Sequence, residues 1–152
     1  MFQEGNLLYF DPFLFKNGAL PKPKFFIVLK RLDEEKLLLA TLPTSKDHVP
    51  GDLPVKSGCT EDPVRNVNVY VLLKDEVVAI DDTTLSDFSF NMNTFIYGAD
   101  LDTFPEKSFF DQVEHHETQI SFKGKLKDEV YKDLILCLKG STCVKKKFKK
   151  VL

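Results

Sequence analysis

The chain has no apolar run near the ~18 residues that span a bilayer as a helix. No membrane partner is therefore expected. Met1 leads into Phe2-Gln3-Glu4 with neither a basic n-region nor an apolar h-region. That argues against a signal peptide and makes the cytoplasm the expected location. Cysteine is scarce: Cys59, Cys137 and Cys143 are an odd set with no C-x-x-C spacing. The spacing speaks against zinc and predicts free thiols in a reducing compartment. A Gly-rich phosphate loop, a G-x-S-x-G elbow and a paired-carboxylate spacing are also missing. No cofactor or metal is expected.

What is present fits one soluble domain, since ~100–200 residues per domain is usual. A chain of 152 residues buries roughly two-thirds of the surface its unfolded form exposes. Charge is unevenly distributed. Residues 1–124 hold 12 Lys+Arg against 20 Asp+Glu, a net of −8, and residues 125–152 hold 9 against 3, a net of +6. An acidic body with a basic end is not the uniform basic face of a nucleic-acid binder, although the end alone suits an anion.

The body reads mainly β. Gly5 to Pro12, Lys24 to Lys30 and Leu37 to Leu42 are strand-like blocks, the second apolar enough to be buried on both faces. Leu32-Asp33-Glu34-Glu35 reads as the turn of a hairpin, and Thr44 to Val64 as a long loop. Further strands are expected over Asn66 to Leu73, Val77 to Ile80, Asn93 to Gly98 and Thr118 to Phe122, with Phe88 and Phe90 as anchors between them. Pro105 to Val113 predicts a helical turn. Leu126, Val130, Leu134, Cys137 and Leu138 form the stripe of an amphipathic helix over Lys125 to Lys139. Strands first and a helix last predict an α+β, mainly β fold, a curled SH3-like barrel with a terminal helix packed on it.

Four groups of residues carry candidate chemistry. Thr44-Ser45-Lys46-Asp47-His48 gathers hydroxyls, an ammonium, a carboxylate and an imidazole, suited to phosphate binding and acid–base work. The plainer reading is a solvated strand exit with Asp47 closing a local turn. Lys22 and Lys24 flank Pro23; they suit a phosphate contact or, more plainly, an edge charge that discourages sheet pairing. Glu114-His115-His116-Glu117 reads as a solvated extended segment whose adjacent histidines diverge. Lys145, Lys146 and Lys147 lead a basic run with Phe148 available to stack on a base, or form a frayed terminus.

The opening Gly5-Asn6-Leu7-Leu8-Tyr9-Phe10-Asp11, the strand Lys24-Phe25-Phe26-Ile27-Val28-Leu29, the Leu42-Pro43-Thr44-Ser45 exit and the terminal helix together resemble the MazF/PemK/Kid family of toxin components. The resemblance implies an SH3-like barrel over residues 1–140, followed by a basic tail over 141–152. It implies an endoribonuclease of a toxin–antitoxin pair, a homodimer that binds RNA and an antitoxin protein. Such an enzyme works without metal, the RNA 2′-hydroxyl attacking the adjacent phosphodiester. By position, Lys24 stands at the family's arginine and Thr44 at its loop threonine, with Ser45 beside it. Asp100 or Asp102 would supply a later carboxylate. His48 is added from its residue type as an acid or base. Lys22, Lys46, Lys145, Lys146 and Lys147 are the expected RNA contacts. The rival expectation is a non-catalytic barrel that binds a protein or nucleic acid through the Thr44 to Val64 loop.

Overall fold

The computed structural model describes residues 1–33 and 36–152; Glu34 and Glu35, in the expected turn, lie outside the described residues. The strands are β1 (Asn6–Phe13), β2 (Lys22–Arg31), β3 (Leu37–Thr41), β4 (Gly58–Asp62), β5 (Val67–Leu72), β6 (Val77–Asp81), β7 (Ser86–Ser89), β8 (Thr94–Tyr97), β9 (Asp102–Pro105) and β10 (Gln119–Leu126). The helices are α1 (Glu106–His116), α2 (Asp128–Lys139) and the single turn α3 (Lys146–Lys149). A seven-stranded antiparallel sheet runs β7-β6-β10-β1-β2-β3-β9, and a three-stranded one runs β4-β5-β8. The α+β, mainly β class is therefore as expected. Among the described residues the strands do not close into one barrel.

The apolar β2 sits inside the large sheet and is buried on both faces, as its composition predicts. Phe26 and Val28 point into one cluster with Leu8, Phe10, Phe13, Phe104 and Phe109. There the Phe109 ring of α1 lies 5.0 Å from both Phe10 and Phe26. Ile27 and Leu29 point the other way, into a core shared with Tyr70, Leu72, Ile96, Leu134 and Leu138. This second core fills the space between the sheets, with α2 as its plug. The large sheet also curls. Phe88 on the edge strand β7 comes within 5.7 Å of Phe25 on β2, although β6, β10 and β1 lie between them in the hydrogen-bonded order.

Several expectations change. The Thr44 to Val64 stretch is not all loop, because Gly58–Asp62 pairs with β5 as β4. Cys59 on β4 is bonded to Cys137 on α2, so only Cys143 is a free thiol. That pairing corrects the expectation of free thiols and removes the cysteine argument for a reducing compartment. The long helix starts at Asp128 rather than Lys125, because Lys125 and Leu126 still pair with Ile80 and Ala79 on β6. Asp128 and Glu129 then occupy its first turn, where carboxylates favour the helix dipole. The chain end is not frayed. Val144 and Phe148 are buried in the same core as α2. Gly98 permits this approach, since a side chain there would overlap Asn68 and crowd Val144.

No helix is long and apolar enough to cross a membrane among the described residues.

Candidate functional site

The β2–β3 hairpin delivers the chain to Pro43 and Thr44, which lie at the seam between the two sheets. Thr44 forms an isolated bridge with Phe95 of β8: its N–H donates to the Phe95 carbonyl at 3.0 Å and its carbonyl accepts from Phe95 N–H at 2.7 Å. The following residues turn on side-chain acceptors. Thr44 Oγ1 accepts from Lys46 N–H at 3.2 Å, which leaves the hydroxyl proton for a ligand. Asp47 Oδ1 accepts from Val49 N–H at 2.9 Å, the local bond expected of it. Tyr97, at the end of β8, clamps the segment: its Oη accepts from His48 N–H at 2.8 Å and donates to the Lys46 carbonyl at 2.6 Å.

This seam opens into two adjoining hollows of about 330 and 650 Å³. Lys22, Lys24, Thr44 and Lys46 line both. Ser45 lines the smaller, and His48, Tyr97 and Asp100 the larger. Six of the nine residues expected from sequence (Lys22, Lys24, Thr44, Ser45, Lys46 and His48) therefore share one cleft. The Leu14 to Pro21 connection forms an outer wall. It is held at its start by Gln112 of α1, whose Oε1 accepts from Leu14 N–H at 3.0 Å. Lys16 ties it further to Asp102 at 3.1 Å.

Lys24 is more than an edge charge. It pairs on one side with Phe10 of β1, while β2 meets β3 only from Ile27 onward, and its side chain lines both hollows. Burial lowers its ammonium below the usual lysine range, repulsion from Lys22 and Lys46 adds to this, and Asp100 partly offsets it. An anion in the cleft would relieve that repulsion. Because the folded-state value is lowered, the Lys24 charge fades at a lower pH than that of an exposed lysine. Anion affinity should thus fall on the alkaline side, earlier than for a cleft of ordinary lysines. A titration of oligonucleotide binding against pH checks this, and Lys24→Arg, charged throughout, should flatten the fall.

The remaining expected contacts lie elsewhere. Lys145, Lys146 and Lys147 sit at and in α3 and do not line either hollow. Lys145 and Lys147 place their Nζ atoms 5.7 and 5.1 Å from the Phe148 ring centre. Phe148 is buried, so it is not available to stack on a base. Burial works against ionisation of Asp102, but Thr103 N–H, Lys16 and Lys145 outweigh it and hold that carboxyl below its usual range.

Glu114, His115 and His116 are on α1 rather than in an extended segment. The helix gathers Asp111, Glu114 and His115, with potential ligand atoms within 4.8 Å of one another. All three side chains are exposed, and Glu114 lies 3.6 Å from His115 Nε2, which suits a solvated helix face.

Sequence reasoning missed Tyr97 as the clamp of the Thr44–His48 segment. It reaches the site only through the β8 bridge, which no local pattern announces. Compared with protein-family models, curated proteins and solved structures, the chain matches none.

Proposed function

We propose that this chain is a metal-independent endoribonuclease of the MazF/PemK/Kid type, holding an RNA phosphodiester between Lys24 and the Thr44–His48 segment. One observation carries the reading: three lysines converge on a hydroxyl-bearing cleft in a body whose residues 1–124 are net −8. Lys24 is partly buried there at a cost to its own charge, and such perturbed groups cluster at functional sites.

In the proposed reaction the ribose 2′-oxygen bonds to phosphorus and the bond from phosphorus to the 5′-oxygen breaks. The products are a cyclic phosphate and a free 5′-hydroxyl. Lys22, Lys24 and Lys46 offset the charge that develops on the phosphoryl oxygens, and the Thr44 and Ser45 hydroxyls donate to them. The 2′-hydroxyl gives up a proton and the departing 5′-oxygen gains one; His48 accepts the first or supplies the second, and solvent water in the open cleft serves the other. The SH3-like barrel belongs to the same proposal, supported by the curl that brings β7 back to β2. So do a homodimer, an antitoxin protein as partner and a cytoplasmic setting.

A second reading, a non-catalytic binding module, is favoured by the way His48 is held. The anchoring bond comes from its backbone N–H, not its imidazole. The two readings share phosphate binding, which salt tests. Binding of a 2′-O-methyl RNA, which lacks the attacking hydroxyl, should weaken with a log–log salt slope of about −2, from three lysines at ~0.7 each on a single strand. Lys22→Ala and Lys46→Ala should each make the slope shallower. A slope near zero would remove phosphate from the cleft altogether.

A further inference from the structure

Next to the lysine cleft lies a third hollow of about 410 Å³, lined by Tyr9, Phe25, Phe88, Phe90, Asn91 and Lys123 among others. It is continuous with the smaller lysine-lined hollow, because Tyr9, Phe25, Phe90 and Asn91 line both. The aromatic wall follows from the curl of the sheet. Tyr9 and Phe25 are direct cross-strand partners on β1 and β2 with ring centres 4.9 Å apart. Phe88 and Phe90, on and just past β7, fold back against Phe25 at 5.7 and 4.8 Å. Phe90 is buried beneath, while Tyr9, Phe25 and Phe88 are only partly covered. Asn91 and Ser89 are exposed at the rim, and Lys123 Nζ lies 5.5 Å from the Tyr9 ring centre.

We infer that this hollow is a base-stacking subsite, so that the cleft takes a single-stranded nucleic acid with an unpaired base beside the bound phosphate. The inference rests on the phosphate-binding reading of the lysine cleft and deepens it by naming the strand class. Every base has a π-face, so partly open aromatic rings hold unpaired bases with little regard to sequence. The Asn91 amide offers both donors and an acceptor to a base edge. A base stacked in a duplex cannot enter a hollow walled by rings without leaving its partner. The charge of Lys22, Lys24 and Lys46 next door selects a polyanionic strand over an uncharged peptide.

The test measures binding of a short 2′-O-methyl RNA, the same strand carrying one abasic position scanned along it, and the corresponding duplex. The wild type is compared with Lys24→Ala, Phe88→Ala and Phe88→Leu, each with its melting temperature. Phe88→Leu keeps an apolar side chain on β7 and removes the ring, so it separates stacking from packing. Loss of one base at a defined position, and Phe88→Leu, should each weaken single-strand binding by roughly fivefold to a hundredfold. The duplex should bind more weakly than the single strand. Binding that depends on Lys24 but ignores the abasic position and Phe88→Leu would overturn the stacking subsite and leave the phosphate cleft standing. Equal binding of duplex would overturn it too. No binding of any strand at low salt, by protein with an unchanged melting temperature, would overturn both readings and leave the hollow to an aromatic side chain of a protein partner.

Discussion

Lys24→Ala should lower the rate of RNA cleavage by about a hundredfold or more, the size of effect seen when one donor to a developing oxyanion is removed. Lys24 is the least exposed of the three cleft lysines: its backbone pairs with Phe10 of β1, and Phe26 to Leu29, further along β2, are fully buried. Its ammonium enters the cleft from a rigid base, whereas Lys22 and Lys46 are exposed. Removing it also relieves the repulsion among the three lysines, so the fold should not suffer. Cleavage assays beside thermal melts of the same variant check both halves. Lys24→Arg should restore much of the rate, since charge rather than proton transfer is its assigned part. A rate unchanged in Lys24→Ala would remove this side chain from the chemistry.

The second large effect concerns stability. Cys59 and Cys137 are 78 residues apart, and a link closing a loop of that length restricts the unfolded chain by about 4–5 kcal/mol in the chain-entropy treatment. The link also ties α2, which plugs the core, to the edge strand β4. Reduction, or Cys59→Ser with Cys137→Ser, should therefore shift the denaturation midpoint markedly downward. Thiol counting gives an independent check: one reactive thiol, Cys143, is expected in the denatured oxidised protein and three after reduction. Three thiols before reduction, with a midpoint indifferent to reductant, would contradict the pairing.

Much of the fold is legible in the sequence where local pattern and burial agree. The run Phe25 to Leu29 announces a strand covered on both faces, and the structure gives it two cores. The stripe Leu134, Cys137 and Leu138 announces the buried face of α2. Illegible elements depend on distant partners. Gly58–Asp62 has little apolar pattern of its own, and becomes a strand by pairing with β5 and by the Cys59 link. Lys125 and Leu126 fit a helical stripe, yet sheet pairing with β6 claims them, so tertiary pairing overrides local periodicity.

The site divides in the same way. Lys22, Lys24, Thr44, Ser45, Lys46 and His48 stand out by residue type, but their convergence depends on the Thr44–Phe95 bridge. Tyr97 and Asp100 arrive from the far side of that bridge. The aromatic hollow depends on a curl that returns β7 to β2, although three strands lie between them in the sheet order. Phe88 and Phe90 are recognisable in sequence as anchors. Their neighbours are not.

Incubation of the purified, folded protein with a mixed-sequence single-stranded RNA in EDTA, with both fragment ends mapped, tests the proposed activity most directly. The cleft built by Lys24, Thr44 and His48 predicts discrete cuts that leave a cyclic phosphate on one fragment and a free 5′-hydroxyl on the other. Intact RNA under those conditions, from protein whose melting transition is cooperative, would contradict it.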